Sequence, residues 1–210
     1  MKAKHYKIGN EDICIPIAES YSDCIRLIKS DRYRLTGKIE STLAVIVHCL
    51  FPFGPSMPLF WLRMSQYKGL LYPLSRLIYK IIPYGAKIDI PPMTRIGYGF
   101  YIGHGYCVTL NGDTIVGNNV NLSQYLNIGS GRGNSAVIGN KVYIGPMVSV
   151  VDEVKIGSNS TIGAGAVVTK DVPQNATVVG VPAKVINYNQ PAVYIGHQFP
   201  CDTWQFRYEE

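Results

Sequence analysis

A chain of 210 residues, 47% hydrophobic and 16% charged, has the composition of an ordered globular protein and the length of one domain with an appendage, or of two small domains. Its 21 glycines and 13 prolines point to a turn-rich architecture and argue against a helical bundle. The balance of 20 Lys and Arg against 14 Asp and Glu, net +6, favours anionic ligands, yet the basic residues are scattered and match no nucleic-acid module, so no nucleic-acid partner is expected.

The first residues, MKAKHYKIGNEDICIPI, are charged where a secretory signal needs an apolar core, so none is expected. The five cysteines, at 14, 24, 49, 107 and 201, have no paired spacing and read as reduced thiols, which implies a cytoplasmic protein, membrane-associated or not. From Glu11 to about Gly37 the pattern reads as helix, with Asp23 as its cap, Ile25, Leu27 and Ile28 apolar, and Arg32 and Arg34 toward its end. Between Leu43 and Leu62 there is no Asp, Glu, Lys or Arg, a length that could span a bilayer. Pro52, Gly54, Pro55 and Pro58 interrupt that stretch and remove backbone donors that lipid cannot replace, so two shorter apolar segments around a turn are expected. Such a pair is either buried or trimer-facing. Alternatively it is an interfacial patch helped by Arg63, Lys68, Arg76 and Lys80, which would make residues 43–82 a peripheral membrane contact. A second helical region runs from about Leu59 to Ile82, and PYGAKIDIPP (83–92) separates it from the C-terminal half of the chain.

From Ile90 a repeat takes over. Aliphatic residues recur at Ile90, Ile96, Ile102, Val108, Val116, Leu122, Ile128, Ile138, Ile144, Val150, Ile156, Ile162 and Val168, and ten of the twelve intervals are six residues. Glycine follows the aliphatic in eight of thirteen cases. A period of six fits neither a helix nor an indefinitely alternating strand. A short strand and a turn make one flat face, three faces close an 18-residue triangular coil, and each coil buries its aliphatics only against its neighbours. The two irregular intervals are expected as surface loops, one at 109–113 and one at Ser130–Val137 (SGRGNSAV). The chain thus divides into an α-helical N-terminal region (1–86), a parallel β-helix (87–173) and a C-terminal extension (174–210) whose last residues show no periodicity.

Three segments carry a resemblance. DIPPMTRIGYGFYIGHGYCVTLN (89–111), IGSGRG (128–133) and IGAGAVVTKDVPQNATVVGVPAKVI (162–186) are similar to serine acetyltransferase, and more so to its short relatives in capsule and exopolysaccharide gene clusters. LIKSDRYRLTGK (27–38) resembles the start of those short relatives. The resemblance implies a left-handed parallel β-helix preceded by a small helical region, a homotrimer with active sites between subunits, and acetyl-CoA as co-substrate. It implies His104 as general base and Asp89, fifteen residues earlier, as the carboxylate that orients it. Imidazole suits the task, since a hydroxyl attacking a thioester loses its proton as the bond forms, and a carboxylate on the other ring nitrogen fixes the tautomer. For acetyl-CoA the resemblance implies Gly145, Ala164, Gly180 and Pro182 along the later coils and Lys184 at a phosphate. No metal is expected.

The loop that helps hold the amino-acid substrate departs from the family. Where serine acetyltransferase carries Arg-His-Pro, this chain has Asn134, Ser135 and Ala136, with Arg132 two residues out of place. Acetyl transfer to a hydroxyl therefore stands as the expectation, with L-serine as acceptor or, alternatively, a sugar hydroxyl in surface polysaccharide biosynthesis. A non-catalytic hexapeptide scaffold is the remaining alternative. A zinc-dependent carbonic anhydrase needs three histidines around the metal, and the repeat has one.

Overall fold

The structure, a computed structural model, describes residues 1–50, 56–131, 133–202 and 204–208, without the side chains of residues 50 and 82–86. It opens with a hairpin, β1 (Lys2–Ile8) and β2 (Glu11–Ile17), in which Ile8 opposes Glu11 across the two-residue turn Gly9-Asn10. Helix α1 (Tyr21–Thr36) comes next. The helix expected from Glu11 begins ten residues later because β-branched Ile13, Ile15 and Ile17 suit the pleated ladder with β1. Nor is Asp23 the cap: the Ser20 hydroxyl accepts from the Asp23 N–H at 3.1 Å, while the Asp23 carboxylate accepts from the Glu19 N–H. Gly37 ends α1 in the left-handed region, φ 66°.

Three shorter helices succeed it: α2 (Thr42–Leu50), α3 (Ser56–Met64) and α4 (Tyr72–Ala86). The helix expected over 59–82 is thus two helices, broken where Ser65 to Leu71 turn the chain around Gly69. Of the four breakers expected in the apolar stretch, Pro58 lies in the first turn of α3; Pro52, Gly54 and Pro55 lie outside the described residues. Among the described residues no helix is long and apolar enough to cross a membrane. Arg63, expected at an interface, is instead 1% exposed. It makes a two-point pair with Asp31 (2.8 and 3.1 Å) and donates to the carbonyls of Ile96 and Gly97. Asp31 also accepts from the Phe100 N–H at 2.7 Å, so this buried pair clamps α1 and α3 onto the first coil.

The solenoid is a left-handed parallel β-helix built from very short strands. β3 (Ile88–Asp89), β4 (Arg95–Ile96) and β5 (Tyr101–Ile102) form its first coil; β6 (Val108–Leu110), β7 (Ile115–Val116) and β8 (Asn121–Leu122) the second. The third coil is β9 (Leu126–Gly129), β10 (Val137–Ile138) and β11 (Tyr143–Ile144), and the fourth β12 (Ser149–Val151), β13 (Lys155–Ile156) and β14 (Thr161–Ile162). β15 (Val167–Val168) and β16 (Thr177–Val179) close the stack. Each strand pairs in parallel with its equivalent one coil away, giving three faces: β4-β7-β10-β13, β5-β8-β11-β14-β16 and β3-β6-β9-β12-β15. The expected domain end at 173 falls inside the stack, since Val172 bridges Ile156 and Val178 pairs with Ile162. β17 (Lys184–Asn187) then turns back antiparallel on β16.

Two faces are covered. Ile8, Ile13 and Ile15 of the hairpin pack on Ile115 and Val137 of the first face. The second is overlaid by α1 and by the C-terminal extension: Tyr194 packs on Tyr143 with ring centroids 4.8 Å apart, and Phe199 exchanges two hydrogen bonds with the Asn119 side chain. The extension ends in β18 (Arg207–Tyr208), parallel to β1. On the third face the outward residues Asp89, Thr109 and Asn127, which oppose one another in register, remain exposed.

Candidate active site

The register of the inward residues relocates the first irregularity of the repeat. Ile90, Leu110, Ile128, Val150 and Val168 occupy one column, with Leu110 opposite Ile128. Val108, the residue expected there, sits one layer earlier, opposite Leu126. The long interval therefore runs from Ile102 to Leu110, eight residues, where Leu122 to Ile128, Ile144 to Val150 and Ile162 to Val168 are six. The loop expected at 109–113 is an ordinary corner: Asn111 accepts from the Thr114 N–H with its backbone and from the Asp113 N–H with its side chain.

Backbone hydrogen bonds identify the two additional residues. The N–H groups of Gly103, Ser123, Gly145 and Gly163 donate to the carbonyls of Leu122, Ile144, Ile162 and Val178, which makes these four equivalent. One position on, the carbonyls of Tyr106, Gln124 and Pro146 accept from the N–H groups of Tyr125, Met147 and Gly165. Gly103 and Tyr106 are thus in step with neighbours in the next coil, and the residues between them, His104 and Gly105, have no counterpart. Both have left-handed φ, 61° and 57°, as in a tight two-residue turn. Histidine is among the non-glycine residues that visit this region more readily, and glycine enters it without steric cost. The side chain of His104 is exposed and makes no hydrogen bond among the described residues.

His104 sits on the edge between the second and third faces. Along that same edge lie Gly145, Ala164 and Gly180; from His104 to Gly180 is four coil steps at about 4.8 Å each, roughly 19 Å in all. Gly145 is required for stacking: a Cβ there would meet the Ala164 nitrogen at 2.9 Å and the Ile162 oxygen at 3.0 Å. Gly180 has φ 95°. Its carbonyl accepts from the Val167 N–H, and the Ala183 N–H donates to the Val167 carbonyl, so the turn carrying Pro182 and Lys184 is pinned to the end of this edge. Pro182 and Lys184 are exposed. Sequence reasoning missed the apolar side chains here: Tyr125 (57% exposed), Met147 (68%) and Val181 (72%) lie in a row beside the glycines. The signal was present, since each comes three residues after an inward aliphatic (Leu122, Ile144, Val178).

Asp89 is on the third face, one strand from the His104 corner, and is exposed in β3 opposite Thr109. It lines a groove of about 940 Å³ between α4 and the first coil, shared with Arg76, Leu77, Tyr79, Lys80, Lys87 and Thr109. Burial raises the Tyr79 phenol above its ordinary range, so it is a neutral donor to the Ile90 carbonyl that fixes the groove wall. Among the described residues Asp89 and His104 share no hydrogen bond within one chain.

The substrate-loop residues lie elsewhere. The loop joins β9 to β10 and therefore occupies the edge between the third and first faces, not the edge of His104. Asn134 is exposed there, whereas Ser135 is 4% exposed and its hydroxyl meets that of Thr114 at 2.9 Å. In the single chain the Ser135 hydroxyl is thus engaged by the fold. Arg132 lies outside the described residues.

The family model for the bacterial transferase hexapeptide, six repeats, matches residues 135–170. Serine acetyltransferase of Bacillus pumilus is 31% identical over 151 residues, covering 69% of this chain and 69% of its own length. Serine acetyltransferase of Synechococcus elongatus is 36% identical over 129 residues, covering 59% of this chain and 50% of its own length. Among solved structures, soybean serine acetyltransferase complexed with serine superposes with a TM-score of 0.65 at 27% identity, covering 78% of this chain and 70% of that one.

Proposed function

Because the chain belongs to the serine acetyltransferase family of hexapeptide-repeat acyltransferases, we propose that it transfers the acetyl group of acetyl-CoA to a hydroxyl, with His104 as general base. The observation that carries this reading is the pair His104–Gly105, an addition to one coil that exposes the imidazole on the edge where Gly145, Ala164 and Gly180 stack. The pantetheine arm lies along that edge beside Tyr125, Met147 and Val181, and Lys184 meets a phosphate at its far end. Neutral His104 takes the proton of the acceptor hydroxyl as its oxygen attacks the thioester carbonyl. The tetrahedral intermediate collapses, the carbon–sulfur bond breaks, and the imidazolium returns the proton to the departing thiolate. Asp89 positions the imidazole and stabilises its charged form.

The site is completed by assembly. Within one chain the 130–137 loop and His104 occupy different edges of the prism, with the exposed third face between them. A homotrimer that packs this face against a neighbour would bring one subunit's Asn134 loop toward the next subunit's His104.

The acceptor is L-serine or a sugar hydroxyl. The replacement of the family's Arg-His-Pro by Asn134, Ser135 and Ala136 in the substrate loop gives the sugar reading equal standing. The test is thiol release from acetyl-CoA by the purified protein, with L-serine set against sugars and nucleotide sugars. Turnover of L-serine with a millimolar or lower KM sinks the polysaccharide reading, and a response to sugars alone sinks L-serine. Release with no acceptor at all would refute the transferase reading.

A further inference from the structure

Helix α4 carries a stripe that the solenoid does not use. Its inner side is fixed by Ser75 and Tyr79, both buried, with the Tyr79 hydroxyl on the Ile90 carbonyl at 2.9 Å. That anchoring forces Leu74 (51% exposed), Leu77 (57%) and Ile81 (64%) outward, at spacings i, i+3 and i+7, and Leu70 (92%) is exposed in the turn that precedes α4. Isolated exposed leucines are ordinary, but an aligned row of three apolar side chains on one helix, with a further exposed leucine just before it, marks an interaction surface.

Charge identifies the occupant. From Ser41 to Ile88 the chain has no Asp or Glu, while Lys68, Arg76, Lys80 and Lys87 are all exposed around this helix. Among the described residues none of the four is in an ion pair. Arg76, Lys80 and Lys87 line the groove on one side of α4, where Asp89 is the one carboxylate among its described lining residues; Lys68 and Arg76 line a second cleft with Arg95 on the other. A second copy meeting this face symmetrically would set cations against cations. A membrane surface with anionic headgroups supplies the missing charge and takes up the leucines at the headgroup–acyl boundary. We propose that α4 docks the protein on an anionic phospholipid surface, with Leu74, Leu77 and Ile81, and Leu70 just before the helix, in the bilayer interface and Arg76, Lys80 and Lys87 on lipid phosphates. This inference does not depend on which hydroxyl is acetylated.

Full-length protein is sedimented with vesicles of phosphatidylcholine alone or mixed with phosphatidylglycerol, and its oligomeric state is measured in parallel by light scattering. Binding to the mixed vesicles is expected, weakened by added salt. Leu74→Gln with Leu77→Gln should lower binding at least about tenfold, with an unchanged melting temperature because both side chains are on the surface. Arg76→Gln with Lys80→Gln should abolish the preference for anionic vesicles. No binding to the mixed vesicles overturns the proposal, as does a leucine variant that binds like the parent. A leucine variant that changes oligomeric state instead assigns the stripe to a contact between copies and equally overturns it.

Discussion

Ser135 and His104 show how position within a coil decides what a polar side chain can do. Ser135 falls at an inward corner of the loop, where its hydroxyl finds Thr114 at 2.9 Å and both are buried. His104 falls in the two-residue addition, where no column of equivalents closes over it and the imidazole stays in solvent. Ser135→Ala should therefore act on stability, leaving a buried Thr114 hydroxyl without its partner at a cost of about 1–3 kcal/mol. Chemical denaturation reads that loss, and KM for the acceptor should not move. A raised KM at unchanged stability would return Ser135 to the substrate site.

At the scale of elements, the pair His104–Gly105 is an insertion in a coil that closes without it. Gly103 and Tyr106 already match Ser123 and Gln124 in the next coil, so excising the pair should leave an 18-residue coil of the standard kind. Deletion of His104 and Gly105 is expected to preserve the melting temperature within a few degrees and the β-rich circular dichroism, while removing acetyl transfer. A collapsed fold would mean that the pair is structural. The hexads made the β-helix legible because one aliphatic per six residues stacks in columns whatever the corners hold. Register inside β6 was not legible: Val108 and Leu110 both point inward, and their spacing suits either column. The choice of Val108 moved the irregularity from the His104 corner to 109–113. The hairpin at Lys2–Ile17 had a local signal in Gly9-Asn10 between alternating residues, but its stability comes from Ile115 and Val137, about a hundred residues away. Arg63 likewise read as a surface cation, since its partner Asp31 lies 32 residues earlier on another helix.

Across the whole molecule, the three faces have separate fates. The hairpin covers the first, the C-terminal extension and α1 cover the second, and the third stays open between the edge of His104 and the edge of the 130–137 loop. The two parts of the candidate site stand on opposite sides of that open face. The residues around His104 and Asp89 carry the family resemblance, whereas the loop expected at the acceptor has Asn134, Ser135 and Ala136 in place of the family's residues and so left the acceptor unread. The scaffold thus predicts a base that works wherever an acceptor is held near it. The measurement that bears most directly on this is the rate of acetyl transfer from acetyl-CoA by His104→Ala, set beside the parent enzyme with the acceptor that the thiol-release screen identifies. A drop in kcat of about 10²–10⁴-fold with an unchanged melting temperature is the predicted result. A variant that transfers acetyl at the parent rate would contradict the assignment of His104 as the base.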